Sequence, residues 1–189
     1  MRGLALALTL LVGGCAAAPA PAPAPAPEMV GHGHGHGHGH GHGEMAGDPV
    51  ERSLDEVARA HGAPGPWAVA GYRMGEHALA KLGLPRGSFD LEVEHTTPRK
   101  VQFSCIADGA GASTGASVGK LNLRVREGSE AEVVTVYRNK KTGASVALRP
   151  SAAFAKRYLD APTANARALG REVMKLPAPE VFEEVPTPP

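Results

Sequence analysis

Cysteine is nearly absent from this chain: among 189 residues there are only Cys15 and Cys105. A small disulfide scaffold is therefore excluded, because a stapled fold needs several paired thiols. Aromatic residues make up only 4%, and neither charge dominates, with 20 Lys and Arg against 19 Asp and Glu. A surface that neutralises phosphates needs clustered cations, and the chain has no basic block, so nucleic acid is excluded as a partner. After the first residues no apolar run approaches the roughly 18 positions that read as a membrane span. The remainder is expected to be soluble. Glycine and proline are plentiful instead, at 24 and 17 residues, and they crowd into the first part of the chain and its tail.

The N-terminus reads as an export signal. Arg2 gives a minimal positive start, and residues 4–12 form an apolar stretch too short to span a bilayer. It runs into Val12-Gly13-Gly14-Cys15, which resembles a bacterial lipobox. Residues 1–14 are then the signal peptide and Cys15 the lipidated first residue. Each buried methylene adds about 0.8 kcal/mol, so several acyl chains would hold the protein on a membrane. Ala16 rather than Asp follows the cysteine, which by resemblance to lipoprotein sorting points to the outer membrane, facing the periplasm. With Cys15 consumed, the exported chain has one thiol and no internal disulfide. That thiol must be buried, ligated or reactive.

Residues 15–50 form a linker of two kinds. Positions 16–27 are almost all Ala and Pro, a semi-rigid polyproline-II-like spacer. Residues 31–43 read GHGHGHGHGHGHG, with His32, His34, His36, His38, His40 and His42 alternating with glycine. The run has no apolar side chain and cannot build a core. Imidazole is the commonest metal-ligating side chain, and with a pKa of about 6.5 it is mostly neutral at physiological pH. Intervening glycines let the backbone bring several rings around one ion. These six histidines are therefore candidate ligands for a transition metal, zinc first and nickel, copper or cobalt next. The alternative is a solvated spacer that binds metal incidentally.

Residues 51–176 are long enough for one domain that buries about two thirds of its unfolded surface. Ser53-Leu54-Asp55-Glu56 reads as a capping box opening a helix to His61, and Gly62 to Pro66 breaks it. A helix over 67–82 follows, stopped by Gly83 and Pro85. Alternation predicts strands at 89–94, 100–104, 121–125, 132–137 and 144–148, with a tightly packed helix at 105–113. Helices at 151–159 and 163–174 complete an α+β domain, a largely antiparallel sheet packed against helices. The Pro-rich tail, 177–189, is expected to adhere only loosely.

Two nucleotide-binding patterns fail. Thr114 stands where the first glycine of a phosphate loop belongs, with Leu121 in place of its hydroxyl residue. The glycine-rich stretch 109–115 is one residue too long for a dinucleotide fingerprint. What remains is an ordered series: His61-Gly-Ala-Pro-Gly-Pro66, Gly71-Tyr-Arg-Met-Gly-Glu76, Cys105-Ile-Ala-Asp108-Gly, and Thr114-Gly-Ala-Ser-Val-Gly-Lys120-Leu-Asn122. This series resembles the FmdE family, named after a component of formylmethanofuran dehydrogenase, over roughly residues 55–185. The resemblance implies an α+β domain with a metal-associated cluster of cysteine and histidine. On this chain that cluster maps to His61, His95 and Cys105, with Asp108 and Lys120 nearby. The family's first motif commonly reads His-Gly-His-x-Cys-Pro-Gly, and here Ala63 replaces its second His and Gly65 its Cys. A second thiol is lost at Ala116, and the cysteine-rich zinc module of longer members has no counterpart.

Each candidate also has a purely structural reading. Cys105 fits a packed, inert thiol, and His61 fits a cation at a helix C-terminus. His95 sits at a strand end, His77 reads as a helix-face residue, Asp108 as a backbone partner and Lys120 as structural. The sequence as a whole favours an exported, lipid-anchored protein that binds transition metal, the Gly-His run acting as antenna or buffer for a domain site. Formyl oxidation is not expected, since no pterin or iron-sulfur signature is present. An enzyme using Cys105 with a histidine base is the first alternative, and a binding module with a degenerate metal site the second. Among protein partners, a homodimer and an envelope protein both stay open.

Overall fold

The computed structural model describes residues 48–188. Cys15, the Ala-Pro spacer and the Gly-His run lie outside the described residues. Helix α1 (Pro49–His61) starts earlier than the Ser53 capping box suggests, because Asp48-Pro49 makes a better start. The Asp48 carboxylate accepts the Val50 N–H at 2.9 Å, and proline tolerates the first turn because it has no N–H to leave unpaired. Gly62 then ends the helix at φ 92, a conformation that suits a residue without Cβ. Helix α2 (Pro66–Leu82) again begins on a proline and ends at a left-handed Gly83.

Strand β1 (Leu91–Thr97), helix α3 (Val101–Thr114) and strand β2 (Leu123–Glu127) follow. Strands β3 (Val134–Asn139) and β4 (Ser145–Pro150) come next, then helices α4 (Ala152–Tyr158), α5 (Ala166–Lys175) and α6 (Ala178–Val181) and strand β5 (Phe182–Val185). The sheet order is β2-β1-β3-β4-β5. Only β1 and β2 are parallel, since α3 carries the chain back between them; the other pairs are antiparallel. This is an α+β fold with a mostly antiparallel sheet, as the periodicity implies.

Burial alternates strictly along β1, so Leu91, Val93, His95 and Thr97 face inward. Helices α2 and α3 cover that face, with α1 and α5 packed outside them. The opposite face is polar, with Arg124 and Arg126 of β2 paired to Glu92 and Glu94 of β1 at 2.6 and 3.0 Å. Between α2 and α3 the contact is backbone against backbone. A Cβ on Gly71 would lie 2.1 Å from the Ile106 carbonyl oxygen, and one on Gly109 1.8 Å from that of Ala68.

Two expectations are corrected. Residues 101–104 are the first turn of α3 rather than a strand. Phe103, Ile106 and Ala110 recur at helical spacing and are buried, while Val101 is 76% exposed. The tail is also not loose. Strand β5 pairs with β4 from Phe182 to Val185, and Val181 and Phe182 enter the core.

Candidate functional site

The site forms where the C-terminal end of α1 meets the second turn of α3. His61 is the last residue of α1. Cys105 and Asp108 are three apart on α3 and therefore share one side of that helix. The Asp108 carboxylate accepts from Nδ1 of His61 at 2.8 Å. This contact fixes the ring's orientation and leaves Nε2 as the nitrogen available for chemistry. Cys105 lines the same pocket as that imidazole, one helical turn before Asp108 on α3. Together the thiol and the carboxylate outweigh burial and raise the His61 pKa to about 9.

His61 and Cys105 open onto a pocket of about 340 Å³. Its walls are apolar, with Trp67, Val101, Leu159 and Pro162 among them, and no Asp, Glu, Lys or Arg lines it. Trp67 is held by its Nε1–H, which donates to the Tyr158 carbonyl at 2.9 Å, and by edge-on contacts with Phe103 and Phe154. The loop forming another wall is seated by Gly170 of α5, where a Cβ would lie 2.0 Å from the Pro64 carbonyl oxygen. Ala63 and Gly65 line the pocket too.

His95 is elsewhere. It is fully buried, with Nδ1 at 2.9 Å from Oγ1 of Thr135 and Nε2 at 3.1 Å from the Phe103 carbonyl oxygen. A carbonyl only accepts, so Nε2 carries the proton and Nδ1 accepts from the Thr135 hydroxyl. Burial depresses its pKa to about 4. Both nitrogens are occupied in tying β1 to β3 and α3, and the structure does not bring His95 to the His61–Cys105 pair. Among the described residues, no three His, Cys, Asp or Glu side chains converge to hold a metal ion.

The other polar candidates are structural. Nε2 of His77 meets Oε1 of Glu184 at 2.8 Å, alongside Lys81. Lys120 donates to the carbonyls of Gly87 and Gly115 at 2.9 and 3.0 Å and lies over the Phe89 ring. Asp108, read from the sequence as a backbone partner, instead orients His61. Sequence reasoning also missed Gln102, whose place in the pocket follows from its lying one helical turn before Cys105 once 101–104 are helical. His32 to His42 and Cys15 lie outside the described residues.

A family model described as FmdE, molybdenum formylmethanofuran dehydrogenase operon, matches residues 60–183, which include the whole of this site. No curated protein matches the chain.

Proposed function

The chain belongs to the FmdE family, and from that premise we propose that it is an exported, lipid-anchored protein that binds transition-metal ions. Family membership points to a metal-related role. Two parts of the chain share that role. The Gly-His run is an antenna that holds ions weakly at many overlapping positions. The domain holds one ion between His61 and Cys105 and leaves the remaining coordination positions to external ligands.

One observation supports the domain site: Asp108 holds Nδ1 of His61 at 2.8 Å, and Cys105 lines the pocket onto which that ring opens. A carboxylate on the far nitrogen is the arrangement that orients imidazole ligands and raises their basicity. Thiolate and imidazole together suit a soft or borderline ion, zinc first. The donor set fits such an ion with two protein ligands, not the three or four of a closed site. Ala63 and Gly65, which stand where the resembling motif carries its second His and its Cys, line the same pocket and donate nothing. A site so depleted is suited to passing an ion on rather than storing it.

Cobalt(II) reports such ligation by its absorption. In a full chain with His32, His34, His36, His38, His40 and His42 replaced by serine, cobalt is expected to give a sulfur-to-metal charge-transfer band. Cys105→Ser should abolish that band, and His61→Ala should weaken cobalt binding at least tenfold, within the range for a lost metal ligand or its support. A chain that gives no such band at any cobalt concentration has no Cys105 metal site.

A further inference from the structure

The same pocket contains more than a metal pair needs. A thiol, an imidazole and a carboxylate stand together there: Cys105 and His61 line the pocket, and Asp108 holds Nδ1 of His61 at 2.8 Å. That is the order of nucleophile, base and orienting group in cysteine acyl-transfer sites. The carboxylate and the thiol come from α3 and the imidazole from α1, so the alignment is a product of the α1–α3 packing and not of neighbouring positions in the chain.

The surroundings select the chemistry. Cys105 is the only cysteine among the described residues, so no resolving thiol stands beside it for a dithiol cycle. Gln102, one turn before Cys105, brings a side-chain amide to the pocket. An amide N–H is a donor suited to the oxygen of a tetrahedral intermediate. The remaining walls, including Trp67, Val101, Leu159 and Pro162, offer apolar surface and no fixed charge. A cationic acyl group would find no carboxylate in the lining, whereas a short hydrocarbon acyl chain would lie against apolar side chains. At about 340 Å³ the pocket lies at the small end of ligand sites.

We propose that, when no metal bridges His61 and Cys105, this pocket hydrolyses or transfers short apolar acyl groups from esters or thioesters through a Cys105 acyl intermediate. Sγ of Cys105 bonds to the carbonyl carbon while the proton that the pair shares sits on Nε2 of His61. The tetrahedral intermediate collapses by breaking the bond to the leaving oxygen or sulfur, which receives the proton from His61. Water, or an alcohol or amine acceptor, then attacks the thioester. His61 takes its proton and keeps it as the Cys105 sulfur leaves and the acid, ester or amide departs, which restores the starting pair. No oxidant or reductant is required. The activity shares residues with the metal site yet does not depend on it: bound metal would block the nucleophile.

The test uses metal-free full chain and p-nitrophenyl esters from acetate to hexanoate. Because imidazoles of the Gly-His run can also accept acyl groups, the chain with those six histidines replaced by serine is assayed in parallel. Both proteins are expected to release a burst approaching one equivalent of nitrophenol, with the acyl mass on the peptide carrying Cys105. Cys105→Ser should lose burst and adduct. His61→Asn should slow acylation about a hundredfold or more, and Gln102→Ala at least tenfold, both variants retaining the wild-type circular dichroism spectrum. A butanoyl or hexanoyl ester should outpace the acetyl ester.

Acylation of Cys105 at the same rate with and without His61 would overturn the proposal, marking the thiol as merely accessible. So would acylation confined to the histidine run or to lysines. Zinc separates the two readings of the site. Inhibition of the burst by stoichiometric zinc supports both, while a Cys105-dependent burst that zinc leaves unchanged supports acyl transfer and removes the metal reading. Zinc held by Cys105 in a protein that shows no burst supports the metal reading and removes this one.

Discussion

A methyl group added at Gly109 is expected to lower the unfolding free energy by about 3 kcal/mol or more, at or above the upper end of ordinary overpacking. The new Cβ would stand 1.8 Å from the Ala68 carbonyl oxygen and 2.7 Å from the Tyr72 nitrogen. Both are backbone atoms of α2, so no side-chain rotation relieves the clash, and the two helices must separate. Gly71 makes the reciprocal contact with Ile106, so separation at one point opens the other. For a domain of this length the loss corresponds to a drop of about 10 °C in Tm. Gly119→Ala is the control, since the nearest atom to its Cβ would be a serine hydroxyl at 4.0 Å. A Gly109→Ala protein as stable as the wild type would show that α2 and α3 do not cross this closely. The same separation would move Cys105 and Asp108 away from His61, so metal binding and thiol chemistry should fail together with stability.

The second large effect is acid lability set by His95. Its folded pKa is depressed to about 4 by burial against an ordinary 6.5. Between these values the unfolded chain binds a proton that the folded chain refuses. Stability due to the neutral, hydrogen-bonded ring is therefore complete above about pH 6.5 and declines as pH falls toward 4. A gap of this size amounts to something on the order of 3 kcal/mol. Urea unfolding at pH 7 and pH 4.5 should show a marked fall in midpoint for the wild type. His95→Gln should be less stable than wild type at pH 7, having lost the fitted ring, but should show a distinctly smaller fall between the two pH values. An equal fall in both proteins would assign the acid lability to other groups.

Much of the fold is legible in the sequence because its signals are local. Pro66 and Gly83 bracket α2, and alternation marks β1, β3 and β4. Residues 101–104 are not legible, since a four-residue stretch with apolar first and third positions fits either period. What decides is Phe103 meeting Trp67 at 4.9 Å, a contact across 36 positions of chain that no window contains. Strand β5 is hidden for a different reason: a Pro-rich composition masks four residues whose pairing partner, β4, lies more than 30 positions earlier.

The candidate site divides in the same way. Cys105 and Asp108 at helical spacing are visible, and the resemblance marks His61. That Asp108 holds His61 is not visible, because the two are 47 positions apart and meet only through the α1–α3 packing. His95 shows the converse. A histidine on the inner face of a strand reads equally as ligand or core residue, and the choice depends on Thr135, 40 positions on, and the Phe103 carbonyl. Ala63 and Gly65 look like simple losses in the sequence. In the fold they are the open wall of the pocket that His61 and Cys105 share.

The proposal that the chain binds metal at two kinds of site is tested most directly by metal analysis of the full chain, purified without an affinity metal and equilibrated with zinc at pH 7.5 and pH 5.5. Several ions per chain are expected at pH 7.5, most of them lost at pH 5.5 as the run's imidazoles protonate. Replacing the six histidines 32 to 42 by serine should leave about one ion per chain, and adding Cys105→Ser should remove it. A stoichiometry that neither change alters would contradict the account.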